Sequence, residues 1–405
     1  MKKPKKSIPE IRFPEFREEW ELKYLHELLR ESKAKNSDLK YSKEDVLSVS
    51  RDYGVVNQID HLGRSYAGAS VHNYGIVEKD DIVYTKSPLK QTPYGIIKVN
   101  KNKPGIVSTL YAIYKAKDNN VDESFIDYYF SLDDNTNRYL RPLVRKGAKN
   151  DMKINNDFVL SDAIYIPSVN EQNKITDFLS IIDVEIELLE RKFQLLVEYK
   201  KGILQKIFNQ EIRFKAEDGN DFPDWKEILA GKVFKSVSNK NHNGDLLVLA
   251  ATQENGMVPR DSIGIEIKSS EKSIASYKIV EKGDFVISLR SFQGGIEYSE
   301  YYGICSPAYT ILKPKVDIDN LFFKYYFKKE SFIERLSKTV VGIRDGKQIS
   351  YTAFAGLKLK FPSIKEQEKI SSFIDDIDLQ IGKIEAQLNV SKEYKKGLLQ
   401  KMFCN

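Results

Sequence analysis

Cysteine is nearly missing from this chain. Its two residues, Cys305 and Cys404, form no C-x-x-C and no pairing pattern, which excludes a disulfide framework and a zinc ribbon. The four histidines (His26, His61, His72, His242) are scattered and show no H-E-x-x-H, so no metal role is expected for them. No apolar run is long enough to cross a membrane. The first residues, MKKPKKSIPE, lead into no apolar segment of the secretory kind, so a soluble, cytoplasmic protein is expected. Catalytic signatures are also lacking. LGRSYAGAS, from Leu62, has glycines without the spacing of a phosphate-binding loop, and no Ser/His/Asp or Cys/His set can be nominated. SPAY, Ser306 to Tyr309, lacks the second proline of the motif that holds a target base in amino-methyltransferases. The chain is therefore expected to be no enzyme, to bind no cofactor and to hold no metal. Its net charge of +6 permits an anionic partner without establishing one.

What the chain has is a duplication of itself. IPSVNEQNKITDFLSIIDVEIELLERKFQLLVEYKKGILQKIF, Ile166 to Phe208, aligns without a gap on FPSIKEQEKISSFIDDIDLQIGKIEAQLNVSKEYKKGLLQKMF, Phe361 to Phe403. The likeness extends outside these segments. YGIVEKDDIVY from Tyr74 matches YKIVEKGDFVI from Tyr277, GIVSTLYAI from Gly105 matches GICSPAYTI from Gly303, and FIDYYF from Phe125 matches FFKYYF from Phe322. Both halves open on IRF, at Ile11 and Ile212, followed by a tryptophan, Trp20 or Trp225.

The duplicated segments carry apolar residues three and four apart, the rhythm of a coiled-coil seam. In the first copy these are Ile175, Phe178, Ile182, Ile186, Leu189, Phe193, Leu196, Ile203 and Ile207. In the second they are Ile370, Phe373, Ile377, Ile381, Ile384, Leu388, Leu398 and Met402. Ser391 and Lys395 interrupt the second seam, which predicts looser packing there or a stretch that faces a partner. Two like helices with narrow seams are expected to pack on one another, antiparallel if one chain supplies both. Between them, short runs such as DIVYT, DFVISL and AYTILK, bounded by Gly, Pro, Asn and Asp, read as strands of mixed α/β globules. FIDYYFSL and FFKYYFKKESFIERL read as helices whose aromatic rings are core.

The halves differ in two places each, and these are rich in the side chains that match phosphates and base edges. In the first half the candidates are Lys86, Lys90, Gln91 and Tyr94, then Arg141, Arg145, Lys146, Lys149, Asn150 and Lys153. In the second they are Arg290, Ser291 and Gln293, then Arg344, Lys347 and Gln348. Basic, glycine-containing loops recur at matched places of a shared framework with different sequences.

The order of these parts resembles the specificity subunit of type I restriction-modification enzymes: RFPEF and a tryptophan, a divergent globule, a P-x-x-x-E-Q-x-K-I helix ending in KKG-LQK-F, and then a second globule and helix. The resemblance implies an α/β (mixed α+β) chain, internally duplicated with pseudo-twofold symmetry, in which two similar target recognition domains are separated by two long helices forming an antiparallel coiled coil. The boundaries expected are 1–165 for the first recognition domain, 166–210 for the central helical region, 211–360 for the second domain and 361–405 for the C-terminal helical region. It also implies recognition of a bipartite, asymmetric site on double-stranded DNA and docking of two methyltransferase subunits, with two restriction (translocase-nuclease) subunits joining. S-adenosylmethionine, ATP and Mg2+ then belong to those partners. A coiled-coil scaffold that touches no DNA, or a catalytic DNA methyltransferase or nuclease, are the alternatives.

Overall fold

The computed structural model describes residues 8–86, 92–118, 120–146, 152–264, 274–339 and 349–404. Two compact units result, Met1–Glu190 with Ala386–Asn405 and Arg191–Glu385. Each contains one globule and a portion of both long helices, Val169–Phe208 and Ile364–Met402.

The globules share one plan. In the first unit a four-stranded antiparallel sheet runs in the order Leu29–Glu31, Tyr111–Ala116, Ile82–Thr85, Ile96–Val99. In the second the order is Phe234–Val237, Thr310–Pro314, Phe285–Ile287, Glu297–Tyr298. The central strands are apolar at successive positions because both faces of the sheet are covered. Ile82 and Tyr84 enter the main core with Phe125 and Tyr128, whereas Val83 and Ile113 pack with Leu47 and Val55 of the hairpin Leu47–Ser50/Gly54–Asn57. In the second unit Phe285, Ile287 and Leu312 face the main core, while Val286 and Ile311 meet Leu249 and Met257. The aromatic stripes of FIDYYF and FFKYYF lie on the helices Glu123–Ser131 and Asn320–Tyr326 and are buried as core.

Each globule is closed where its chain enters and leaves. Strand Glu21–Tyr24 pairs antiparallel with Ala163–Ile166, and Lys226–Leu229 with Lys358–Phe361. The E-Q pair at the start of each long helix performs the closure. Arg12 grips Glu171 through both carboxylate oxygens, at 2.7 and 2.8 Å, and the indole nitrogen of Trp20 donates to the same carboxylate at 3.2 Å. Arg213 grips Glu366 in the same way, at 3.2 and 3.1 Å. The neighbouring glutamine is a bridge: Gln172 donates to the Pro167 carbonyl and accepts from the Asp122 amide, both at 2.9 Å. Gln367 does the same with Pro362 and Asp319. Asp122 and Asp319 in turn cap the aromatic helices, accepting from the amides of Ser124 and Phe322.

Within each unit the long helices run antiparallel. In the first, Asp183 pairs with Lys395 and Glu190 with Lys392; in the second, Lys200 pairs with Asp378. Lys200 and Lys395 are matched positions of the repeat, as are Asp183 and Asp378, so each unit holds one copy of a single device. A tyrosine from the globule completes it: Tyr128 donates to Asp183 at 2.7 Å and Tyr325 to Asp378 at 2.8 Å. The interruption of the second seam is thereby corrected. Lys395 is drawn inward by Asp183 and lies over the Tyr128 ring, and the Ser391 hydroxyl donates to Glu185. The remaining seam residues are buried or half-buried between exposed neighbours. One further correction concerns phenylalanine. Leu179 and Ile374 are fully buried at the seam, while Phe178 and Phe373 turn to meet Phe13 and Phe214 of the leading segments, ring to ring at 5.7 and 5.3 Å.

Glu171 is 1% exposed, and removing it leaves the mostly covered Arg12 guanidinium without its counter-charge. Glu171→Ala is expected to cost about 3 kcal/mol. The half-exposed Glu190–Lys392 pair is a control, for which Glu190→Ala should cost less than about 1 kcal/mol. Denaturant unfolding of the two variants measures the difference, and equal costs would contradict the anchoring role.

Candidate nucleic-acid interface

In the first unit the divergent loop begins as the strand Ile82–Thr85 ends and returns at Ile96–Val99. The buried Tyr84 hydroxyl holds the return by donating to the Tyr94 carbonyl at 2.8 Å. Burial raises the Tyr84 phenol well above its ordinary pKa, so it stays a donor. Gly95, at φ +103°, cannot be replaced, because a Cβ there would lie 2.2 Å from the Thr85 carbonyl oxygen. Lys86 is half-buried, and burial lowers its ammonium below the usual lysine range while Glu31 opposes the shift.

The helix Asp133–Leu140 ends beside this loop. Arg138 donates to the Tyr129 hydroxyl at 3.2 Å and to Asn135 at 3.1 Å, which places the helix end against the aromatic helix. Pro93 and Tyr94 from the loop, and Asn137, Arg138, Arg141 and Pro142 from the helix end, line an open cleft of 630 Å³. Tyr94 and Arg141, two candidates from different parts of the sequence, thus meet. From the helix end the chain enters a two-stranded ribbon, Arg145–Lys146 paired with Met152–Lys153. A two-stranded ribbon is one of the shapes a DNA major groove admits. Arg145, Lys146 and Lys153 all lie on it.

The second unit repeats the juxtaposition with other residues. After Phe285–Ile287 the chain turns through a short helix, Ser291–Gly294, which packs against the helix Glu330–Ser337. Arg290 and Gln293 are exposed on this turn. Ser291 is fully buried, and its hydroxyl accepts from the Ser288 amide at 2.8 Å, which gives it a structural task. Arg335 donates to the Tyr326 hydroxyl at 3.2 Å, reproducing the bond between Arg138 and Tyr129. Just beyond, Lys338 is exposed at the position that matches Arg141 when FIDYYF is laid on FFKYYF. Lys338 and Arg138 escaped the sequence reading, although that alignment, extended to the next helix, points to both. Lys90, Gln91, Lys149, Asn150, Arg344, Lys347 and Gln348 lie outside the described residues.

Other chemistry finds little footing. Both cysteines are buried, and burial pushes their thiols up to about 12, far from the reactive thiolate. Among the described residues no group of three or more His, Cys, Asp or Glu could hold a metal ion, and no helix is long and apolar enough to cross a membrane.

The family model for the type I restriction modification DNA specificity domain matches residues 17–197 and 224–391. A similar sequence is the type I restriction enzyme MjaVIII specificity subunit of Methanocaldococcus jannaschii, 28% identical over 207 residues, a match that covers 48% of this chain and 46% of that protein. The chain thus spans about half the length of that relative. Among solved structures, the S subunit of a type I restriction-modification system from M. genitalium superposes with a TM-score of 0.58 at 16% identity, covering 98% of this chain and 99% of that one. A chain from a structure describing complex assembly and conformational transition of the type I R-M system gives 0.53 at 16% identity, covering 95% and 96%. At such identity these two show a shared fold.

The two kinds of exposed cation are expected to behave differently on DNA. Arg141→Ala and Lys338→Ala should weaken binding evenly across sequences and reduce the salt slope by about 1 each, as lost phosphate contacts do. Arg290→Ala should instead relax one base position at a cost of about 1–3 kcal/mol. Titrations of the assembled complex at several salt concentrations separate the two, and a uniform loss for Arg290→Ala would assign it to phosphate.

Proposed function

This chain belongs to the family of type I restriction modification DNA specificity domains, and on that premise we propose that it is a specificity subunit that reads a bipartite, asymmetric site on double-stranded DNA. One unit reads each half. The observation that carries the proposal is that in both units a divergent turn lies against the matched helix, Asp133–Leu140 or Glu330–Ser337, on frames that otherwise match. A frame of constant shape positions the loops, and loops of unlike sequence present unlike donors and acceptors to the bases. Arg141 and Lys338 neutralise phosphates and set the register, and Arg290 and Gln293 approach base edges.

The long helices carry the partners. Val390 and Tyr394 on the second helix are more than half exposed. Val390 and Tyr394 match Leu195 and Tyr199 of the first helix, which are also exposed, so like apolar residues recur in both units. Apolar residues at repeated positions suit two copies of one partner, a methyltransferase subunit, through which two restriction (translocase-nuclease) subunits join. Methyl transfer and cleavage, with S-adenosylmethionine, ATP and Mg2+, take place on those subunits. This chain supplies the choice of sequence and no catalytic group.

The test is a competition assay with the purified complex of this chain and its methyltransferase partner. A cognate duplex is expected to resist displacement by unrelated DNA by about 10³-fold or more. Equal competition by every duplex would favour a scaffold that reads no DNA.

A further inference from the structure

The second unit holds its reading turn with a device that the first does not share. Lys328 follows the aromatic helix Asn320–Tyr326, and its ammonium donates three hydrogen bonds: to the Glu297 carboxylate at 2.6 Å, to the Gly294 carbonyl at 2.9 Å and to the Gln253 carbonyl at 3.0 Å. An ammonium has three N–H donors, so all are engaged. The three acceptors come from separate parts of the unit. Glu297 is on the last strand of the sheet, Gly294 ends the short helix that carries Arg290 and Gln293, and Gln253 sits in the turn of the hairpin Leu249–Thr252/Gly256–Pro259.

The parts are pressed together around it. A Cβ on Gly294 would lie 2.6 Å from the Gln253 side chain, and one on Gly295, at φ +83°, would lie 2.2 Å from the Phe327 carbonyl oxygen. The Glu297 side chain is 2% exposed, so its carboxylate depends on Lys328 for a counter-charge. In the first unit the matched positions differ. Ser131 stands where Lys328 would be, and its hydroxyl donates to the Tyr128 carbonyl at 2.7 Å. Lys98 stands where Glu297 would be, paired with Val83 as Glu297 is with Val286.

We propose that Lys328 is a positioning residue for the second half of the DNA target, fixing the turn that carries Arg290 and Gln293 against the hairpin and the helix frame. This rests on the function proposed above. A reading side chain discriminates between bases only while its backbone is held to a fraction of an ångström, and a loosened turn lets Arg290 and Gln293 adapt to several bases.

The experiment uses the full complex and a panel of duplexes, each with one base changed in the first or the second half of the target. Lys328→Met should reduce discrimination against second-half changes by about tenfold, leave first-half discrimination within about twofold, and leave the salt slope unchanged because no phosphate contact is lost. Glu297→Gln keeps all three acceptors and removes only the charge, so its discrimination should fall between wild type and Lys328→Met. It also carries the test if Lys328→Met does not fold. Arg290→Ala is measured alongside. If Arg290→Ala relaxes a second-half position while both clamp variants discriminate as wild type does, the positioning role is overturned and the reading turn stands. If none of the three alters second-half discrimination, the assignment of the turn to DNA fails, and the inference with it.

Discussion

Two buried carboxylates, Glu171 and Glu366, govern how this chain is built. A desolvated carboxylate requires a paired cation, and each finds it in the arginine of the IRF segment that precedes its globule, Arg12 or Arg213. Each pair joins the residues before a globule to the helix that follows it. With the adjacent glutamine tying the helix start to the cap of the aromatic helix, both ends of the globule's chain are closed at one place. The globule becomes an insert with locked ends. Its remaining loops can change sequence without disturbing the anchor.

This division accounts for the duplicated pattern. The residues that repeat are those in the anchor, the aromatic helix, the sheet and the cross-paired helices. Asp183 with Lys395 and Tyr128, and Asp378 with Lys200 and Tyr325, tie each globule to the antiparallel helices by one device used twice. Among the described residues, those that do not repeat include the turn at Tyr94, beside the end of the helix Asp133–Leu140, and the turn Ser291–Gly294, against the helix Glu330–Ser337. The means of holding the divergent turn also differs, through Lys328 in one unit and Tyr84 with Gly95 in the other.

Much of this was legible in the sequence, for identifiable reasons. Gap-free repetition and three-four spacing announce paired helices, and apolar runs between turn residues announce a sheet covered on both faces. Short-range pattern could not tell Phe178 from Leu179 at the seam, because both are apolar and adjacent, and only the position of Phe13 decides which turns outward. Lys395 looked like a fault in the seam because its partner, Asp183, lies on the other helix. Ser291 resembled its polar neighbours Arg290 and Gln293 until the short helix turned its hydroxyl inward. Lys328 gave no signal at all, since its three acceptors are remote in sequence and two of them are backbone carbonyls.

The central claim is that the frame is shared and that the two loops in each unit carry the choice of sequence. Loop exchange tests it most directly: residues 288–296 and 338–349 are replaced by 86–95 and 141–154, and the methylome of a host carrying the complex is sequenced. The account requires both halves of the modified site to carry the bases formerly found in the first half alone. A second half that keeps its original bases after the exchange would contradict it.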